Sequence, residues 1–159
     1  MSRLHLSKGL YPEEFFLSTV NFIRQMQQPS GAIPWFEGGH CDPWDHVESA
    51  MGLSIHRDFV NAERAYQWLA DQQLADGSWW AAYKDDVVDK KDRRETNFVA
   101  YVATGVWHHY LISQNNDFIK RLWPVVDAAI NFVIAQQQEE GDINWAVDTN
   151  SEPMRDALI

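Results

Sequence analysis

Cysteine is nearly absent: Cys41 stands alone among 159 residues, which excludes an intrachain disulfide and leaves packing to hold the fold. Positive charge is scarce too, with 13 Lys and Arg against 23 Asp and Glu, a formal net charge of −10 at pH 7. Such a surface repels polyanions, so nucleic acid and anionic membranes are excluded as partners and neutral, apolar or cationic ones remain. No apolar run approaches the roughly 20 residues that cross a bilayer. The start, MSRLHLSKGLYPEEF, lacks the uncharged apolar stretch of a secretion signal, so a cytoplasmic protein is expected. Period-two alternation of the half-buried strand is missing as well, which predicts an all-α chain. What the sequence has in excess is aromatic side chains: eight Trp, eight Phe and five Tyr. That is more than the packing of one small domain requires, and it points to a repeated architecture or an aromatic cavity.

A repeat is present. Residues 22–33 (FIRQMQQPSGAI), 68–79 (WLADQQLADGSW) and 132–143 (FVIAQQQEEGDI) align without gaps on Gly31, Gly77 and Gly141. Each has an aromatic nine residues before the glycine, a Gln four before and a large apolar residue two after. The glycines are unevenly spaced, 46 and 64 residues apart. Before each glycine the apolar residues recur at helical spacing, as in Phe59, Ala62, Ala65, Tyr66 and Leu69, so each segment is an amphipathic helix. The glycine supplies the positive φ of a helix stop, the apolar residue beyond it folds back, and the amide of Gln73 is placed to bond the exposed peptide groups of that helix end.

A second set of helices lies between these. DPWDHVESAMGLSIH opens with Asp42 at an N-cap, Pro43 at the first helical position and Asp45 at the acid position of a capping box. TNFVAYVATGVWHHYLIS, residues 96–113, is more uniformly apolar, which places it inside. NNDFIKRLWP predicts a short helical turn before Pro124 opens the third long helix, and SEPMRDALI the first turns of a third inner helix. The expected whole is a single domain, residues 1–159, of about three α/α hairpins.

Trp68, Leu69, Gln73, Gly77 and Trp79 together resemble the QW repeat of terpenoid and squalene cyclases, with Ile33 and Ile143 replacing the last Trp in the other copies. The resemblance implies an α/α toroid, the fold of those cyclases and of protein prenyltransferase β subunits, with similar toroids in several glycoside hydrolase families. Toroids of this kind close with about six hairpins, and the present length holds roughly half that number at ordinary helix and loop lengths. An open half-ring leaves its flanks uncovered, so a homodimer, or a partner chain carrying the missing hairpins, is expected; a truncated product of a longer toroid is the other reading.

The loops after the glycines lead to the N-termini of the inner helices, so functional groups should gather at that end. Asp42 and Asp45, with His46 beside them, suit acid catalysis or ligand hydrogen bonding, and equally a plain cap. Glu95 follows Arg93 and Arg94, which fits a structural ion pair. In α/α toroids of related shape, glycosidases keep a catalytic carboxylate at such a place, and a separated Asp45 and Glu95 could form a general acid and base. The catalytic candidates are therefore Asp42, Asp45 and Glu95. Trp35, Trp44, His46, Trp80, Asn97, Tyr101, Trp145 and Asp148 are the candidates for binding a ligand.

Other constellations carry less. DDVVD, residues 85–89, matches the Asp-Asp-x-x-Asp of class I terpene synthases that holds Mg²⁺ and diphosphate, but it lies in a charged run that reads as a solvated loop. His40, Cys41, Asp42 and His46 include zinc-ligand types without the spacing of the prenyltransferases, and Cys41 reads as readily as a small buried hydrophobe. One of His108 and His109 faces the core. No metal ligand and no cofactor is assigned. The leading expectation is a cyclase- or prenyltransferase-like protein binding an apolar, isoprenoid-type ligand, although the Asp-x-Asp-Asp acid motif of class II cyclases is missing. The alternatives are a toroid glycoside hydrolase or carbohydrate-binding protein, and a non-enzymatic interaction scaffold.

Overall fold

The computed structural model describes residues 13–154. Five helices carry the architecture: α1 (Leu17–Met26), α2 (Pro43–Ile55), α3 (Phe59–Gln72), α4 (Thr96–Ser113) and α5 (Asn116–Ile134). α2 and α4 lie side by side as inner helices, with α3 packed against α2 and α5 against α4, while α1 flanks α2. Outer and inner helices thus alternate, and the chain is an arc of an α/α toroid. The core lies between the two layers, built from Val47, Ala50 and Leu53 of α2, Tyr66 and Leu69 of α3, Val99 and Val102 of α4, and Phe118 and Leu122 of α5. Among the described residues no helix is long and apolar enough to cross a membrane.

The helix starts follow from their caps. Asp42 accepts the Asp45 N–H at 2.9 Å with Pro43 in the first turn, and Asn115 accepts the N–H groups of Asp117 and Phe118. Helix α5 runs unbroken through Pro124, contrary to the expected break. The apolar face of Phe118, Leu122, Val126, Ala129 and Phe132 continues across the proline, and its burial outweighs the one lost ladder bond.

Among the described residues four short strands also form, which the helical periodicity did not announce. β1 (Ala82–Lys84) and β2 (Val87–Lys90) make a hairpin; β3 (Arg94–Glu95) pairs antiparallel with β4 (Ala146–Val147). The first two acids of the DDVVD run are the hairpin's turn: Asp85 and Asp86 both have positive φ, 49° and 63°, as a two-residue type I′ turn demands. Asp86 accepts hydrogen bonds from the Trp68 indole at 2.8 Å and the Ser30 hydroxyl at 2.7 Å, so it fastens the tip of the hairpin to α3 and the first glycine turn. The expected third inner helix does not begin at Ser151, which has positive φ; Pro153 bridges instead to Val147, and the rest of that segment lies outside the described residues.

The glycine repeat is a structural repeat. Gly31, Gly77 and Gly141 have φ of 109°, 91° and 96°. In every copy the Gln four residues earlier donates its amide to the glycine carbonyl: Gln27 at 3.2 Å, Gln73 at 3.0 Å and Gln137 at 2.7 Å. Two copies go further. Gln27 also donates to the Asn61 carbonyl of α3, and Gln73 to the Val125 carbonyl of α5, both at 2.9 Å. Three residues beyond each acceptor the outer helix presses on the glycine itself: a Cβ on Gly31 would strike the Arg64 carbonyl, and one on Gly77 the Ala128 carbonyl. At Gly141 the nearest atom to that position among the described residues is Gln137 Nε2, 4.0 Å away. The exposed large apolar side chains Trp107, Leu111, Trp123 and Ile134 lie on α4 and α5, the helices of this same end.

This contrast fixes an expectation. Gly77→Ala should lose stability through both left-handed strain and the clash with α5, about 2 to 6 kcal/mol, whereas Gly141→Ala should bear the strain alone, about 1 to 3 kcal/mol. Urea unfolding of the two variants checks it; equal losses would show that the outer helix does not seat on Gly77.

Candidate functional site

Both inner helices begin at an acid. Asp42 caps α2, while Glu95, at the equivalent place before α4, makes no cap bond. Its carboxylate, 3% exposed, instead accepts the Arg93 Nε–H at 2.7 Å. Burial raises the Glu95 carboxyl above its ordinary range, Arg93 opposes the rise, and the charge on Asp42 adds to it. The β3–β4 pairing holds the backbone of Glu95, and Thr96 N–H donates to the Trp145 carbonyl at 2.8 Å. Arg94 turns inward: it pairs with Asp76, donates to the Asp148 carbonyl, and lies between the rings of Trp80 and Phe132 at 5.7 and 5.6 Å. The second glycine turn and the final loop are thereby tied behind the two acids.

Asp45 lies in the first turn of α2, at the wall of a cleft of about 370 Å³ between α1 and α2. Phe22, Ile23 and Met26 form its apolar side; Asp45, Glu48 and Ser49 form its polar side, with Trp35 at the rim. Partial burial and the neighbouring Asp42 carboxyl, which shares a hydrogen bond with it, push Asp45 up to about 6. Asp42 is itself buried and receives the Trp35 indole N–H at 2.6 Å as well as the Asp45 amide. One carboxylate is thus fixed by donors, and its charge keeps a proton on the next.

Toward α4 the same helix presents Trp44, stacked on Tyr101 with ring centroids 4.0 Å apart and planes 8° from parallel. Glu48, not foreseen from the sequence, joins the two: its Oε1 accepts from Trp44 Nε1 at 3.0 Å and Tyr101 OH at 3.2 Å. Its position three residues after Asp45 and four after Trp44, on one helix face, was the available signal. Asn97 lies one turn before Tyr101 on α4, and its buried Oδ1 has no hydrogen-bond partner.

The structure therefore gathers Trp35, Asp42, Asp45, Trp44 and Tyr101 around the first turns of the inner helices, with Glu95 within electrostatic reach of Asp42. Trp80 and Trp145 are half-buried beside Arg94 and Arg93. Two candidates have other tasks. His46 is fully buried, with Nδ1 accepting the Ile33 N–H at 3.1 Å and Nε2 donating to the Ala65 carbonyl at 2.9 Å; burial drops it to about 4 and keeps it neutral. Asp148 closes a turn, its carboxylate accepting the N–H groups of Asn150 and Glu152. The zinc-type set does not assemble either, because both His46 nitrogens are committed and no cluster of three such ligands forms among the described residues. The Cys41 thiol is pushed up by burial, as a small core side chain would be. His109 is the core histidine of its pair, bonded to Ser54 at 2.8 Å.

The fold and this cluster define an arc of an α/α toroid with paired acids and stacked aromatics at the first turns of its inner helices. No known family profile matches the chain. Over 138 residues it is 47% identical to an MMP endo-(1,4)-3-O-methyl-alpha-D-mannosidase of Mycolicibacterium hassiacum, covering 87% of this chain and 38% of that protein. The chain thus spans little more than a third of the relative's length. Among solved structures it resembles a D-mannose isomerase (TM-score 0.69, 12% identity, 90% of this chain and 40% of that one). It also resembles a cellobiose 2-epimerase from Bacillus thermoamylovorans (0.67, 13%, 91% and 42%). A third likeness is to an endoglucanase of glycosyl hydrolase family 8 from Klebsiella pneumoniae (0.60, 12%, 75% and 39%). These findings keep the α/α toroid and correct the leading functional expectation: a relative at 47% identity is a mannosidase, so the cyclase- or prenyltransferase-like reading with an isoprenoid ligand falls. The Gln–Gly register marks α/α hairpins and does not mark a terpenoid cyclase.

Asp45 gives a pH signature. The folded chain holds its proton to about 6, whereas the unfolded chain releases it near 3.8, so the folded state binds more protons in between. The stability this lends is full below about 3.8 and is lost as pH rises through about 6. Asp45→Asn, whose amide can still donate to Asp42, should therefore melt like wild type at pH 3.5 and above it at pH 7, by an amount that solvent screening keeps modest. Melting curves at the two pH values check the sign; a variant less stable at pH 7 would overturn the assignment.

Proposed function

We propose that the chain forms one wall of the active cleft of an α/α-toroid glycoside hydrolase acting on an α-linked mannoside carrying O-methyl groups. The observation that supports this most is Asp45, a carboxyl in the cleft wall that holds its proton up to about pH 6 through partial burial and, after it, the fixed Asp42 beside it. Such a group donates a proton to a glycosidic oxygen as the bond to the anomeric carbon breaks. A second carboxylate takes a proton from the water that adds to that carbon. Glu95 is the candidate for it within this arc, with Arg93 holding its orientation. The facing wall would come from further hairpins, in a longer polypeptide or a second copy of the chain. Trp35 and Trp44 supply flat apolar surfaces that suit both sugar rings and methyl ethers. The activity of the mannosidase relative selects the mannoside.

Oligosaccharides of (1→4)-linked 3-O-methyl-α-D-mannose are the test, with cello-oligosaccharides beside them, reading reducing ends and, by calorimetry, binding. Cleavage of the mannoside is expected, falling as pH rises through about 6 and reduced by about 10² to 10⁴-fold in Asp45→Asn. Cleavage of the glucan alone would replace the substrate class, and neither binding nor cleavage of either would overturn the hydrolase reading.

A further inference from the structure

We infer that Trp44, Tyr101 and Glu48 form a subsite for one pyranose ring, in which Glu48 accepts hydrogen bonds from sugar hydroxyls and is not the proton donor. The inference rests on the carbohydrate reading above and deepens it. Trp44 comes from α2 and Tyr101 from α4, yet their rings lie flat on each other, and the donors they carry, one N–H and one O–H, converge on a single oxygen of Glu48. Oε1 is thereby filled, and the carboxylate plane is fixed from two helices. No described residue donates to Oε2, although Glu48 is exposed and belongs to the wall of the cleft that Asp45 shares. A fixed carboxylate with one open oxygen beside an aromatic stack is the arrangement that holds a ring of C–H groups edged by hydroxyls.

Packing alone does not require this triad. Helices α2 and α4 already meet through buried Val47, Ala50, Val99 and Val102, all fully excluded from solvent beneath it. Asn97, one turn earlier on α4, has its Oδ1 buried and out of a ligand's reach, so Glu48 is the open acceptor here. An open acceptor beside aromatic rings asks for a ligand with a hydroxyl donor and an apolar face. A methyl ether cannot donate, so the hydroxyl that reaches Glu48 must be an unmethylated one, while methylated positions are left to the aromatic and α1 surfaces. The subsite therefore takes a partially, and not a fully, O-methylated ring.

Titration of the wild-type chain with a (1→4)-linked 3-O-methyl-α-D-mannose tetrasaccharide, followed by tryptophan fluorescence and calorimetry, provides the test, with the permethylated tetrasaccharide as the second probe. Saturable binding of the first and at least tenfold weaker binding of the second are expected. Glu48→Ala and Trp44→Ala should each weaken the first at least tenfold, while Trp44→Phe, which keeps a ring and loses the indole donor, should lose less. Where turnover is measured, Glu48→Gln should raise KM with kcat within a few-fold of wild type, in contrast to the kcat loss of Asp45→Asn. Wild-type binding by Glu48→Ala and Trp44→Ala, with melting unchanged, would overturn the subsite and leave the hydrolase reading standing. Equal affinity for the permethylated probe would remove the role of Glu48 as acceptor. A kcat loss in Glu48→Gln as large as in Asp45→Asn, at unchanged KM, would make it a catalytic acid instead. Absence of any saturable binding by wild type would sink the carbohydrate reading and the subsite together.

Discussion

The side-chain amide of Gln73 holds two parts of the chain at once, donating one hydrogen to the Gly77 carbonyl and the other to the Val125 carbonyl of α5. Gln27 does the same between Gly31 and Asn61 of α3. The glycine carbonyls lie in tight turns, whereas Asn61 and Val125 lie inside α3 and α5 and offer the second lone pair of a helical carbonyl; an amide with two N–H groups on one nitrogen is suited to join the two. Because the glycine lets the neighbouring helix approach its backbone directly, the clamp sets where each outer helix lies relative to the one before. The inner helices follow, since each runs into the next outer helix through a short loop, Ile55 to Phe59 for α2 and Ser113 to Asn116 for α4. Asp42 and Glu95 therefore reach the same end of the arc through a spacing decided on its outside.

Placement then becomes chemistry through crowding. A helix N-terminus favours an anion, and Asp42, held by a backbone amide and the Trp35 indole, takes that role firmly enough to burden its neighbours. Burial first, and the Asp42 charge as an addition to it, make Asp45 and Glu95 hold protons more tightly than free carboxyls. Arg93 tempers Glu95 and leaves Asp45 alone. Two acids that start out alike are in this way pushed toward different tasks by what surrounds them.

Much of this was legible in the sequence, and the parts that were not share a cause. The Gln–Gly register, the inner position of the apolar helix 96–113 and the Asp42 cap are local patterns, and the structure contains each of them. Glu48 was missed because its meaning depends on Tyr101, 53 residues away; the arginine pairing was foreseen, but that Arg94 turns to Asp76 between Trp80 and Phe132 while Arg93 takes Glu95 depends on distant residues. The acids of DDVVD suggested metal chemistry or a loose loop, and only the arrival of Trp68 and Ser30 shows them as a turn and its fastening. Pro124 misled in the other direction, since a local rule about proline yielded to a long apolar face. The isoprenoid expectation failed for a different reason: the register describes how hairpins are joined, and joined hairpins do not determine what they enclose.

The junction at each glycine asks almost nothing of the helix that fills it. Asn61 and Arg64 serve at one, Val125 and Ala128 at the other, and these pairs share no side-chain chemistry; what is received is a main-chain oxygen and, one turn along, another. Gln137 and Gly141 present the same receptor with an open face. A joint that reads only main chain can persist while the residues around it drift, so the arc behaves as a chassis whose cavity-facing loops are free to evolve new specificities without renegotiating the frame.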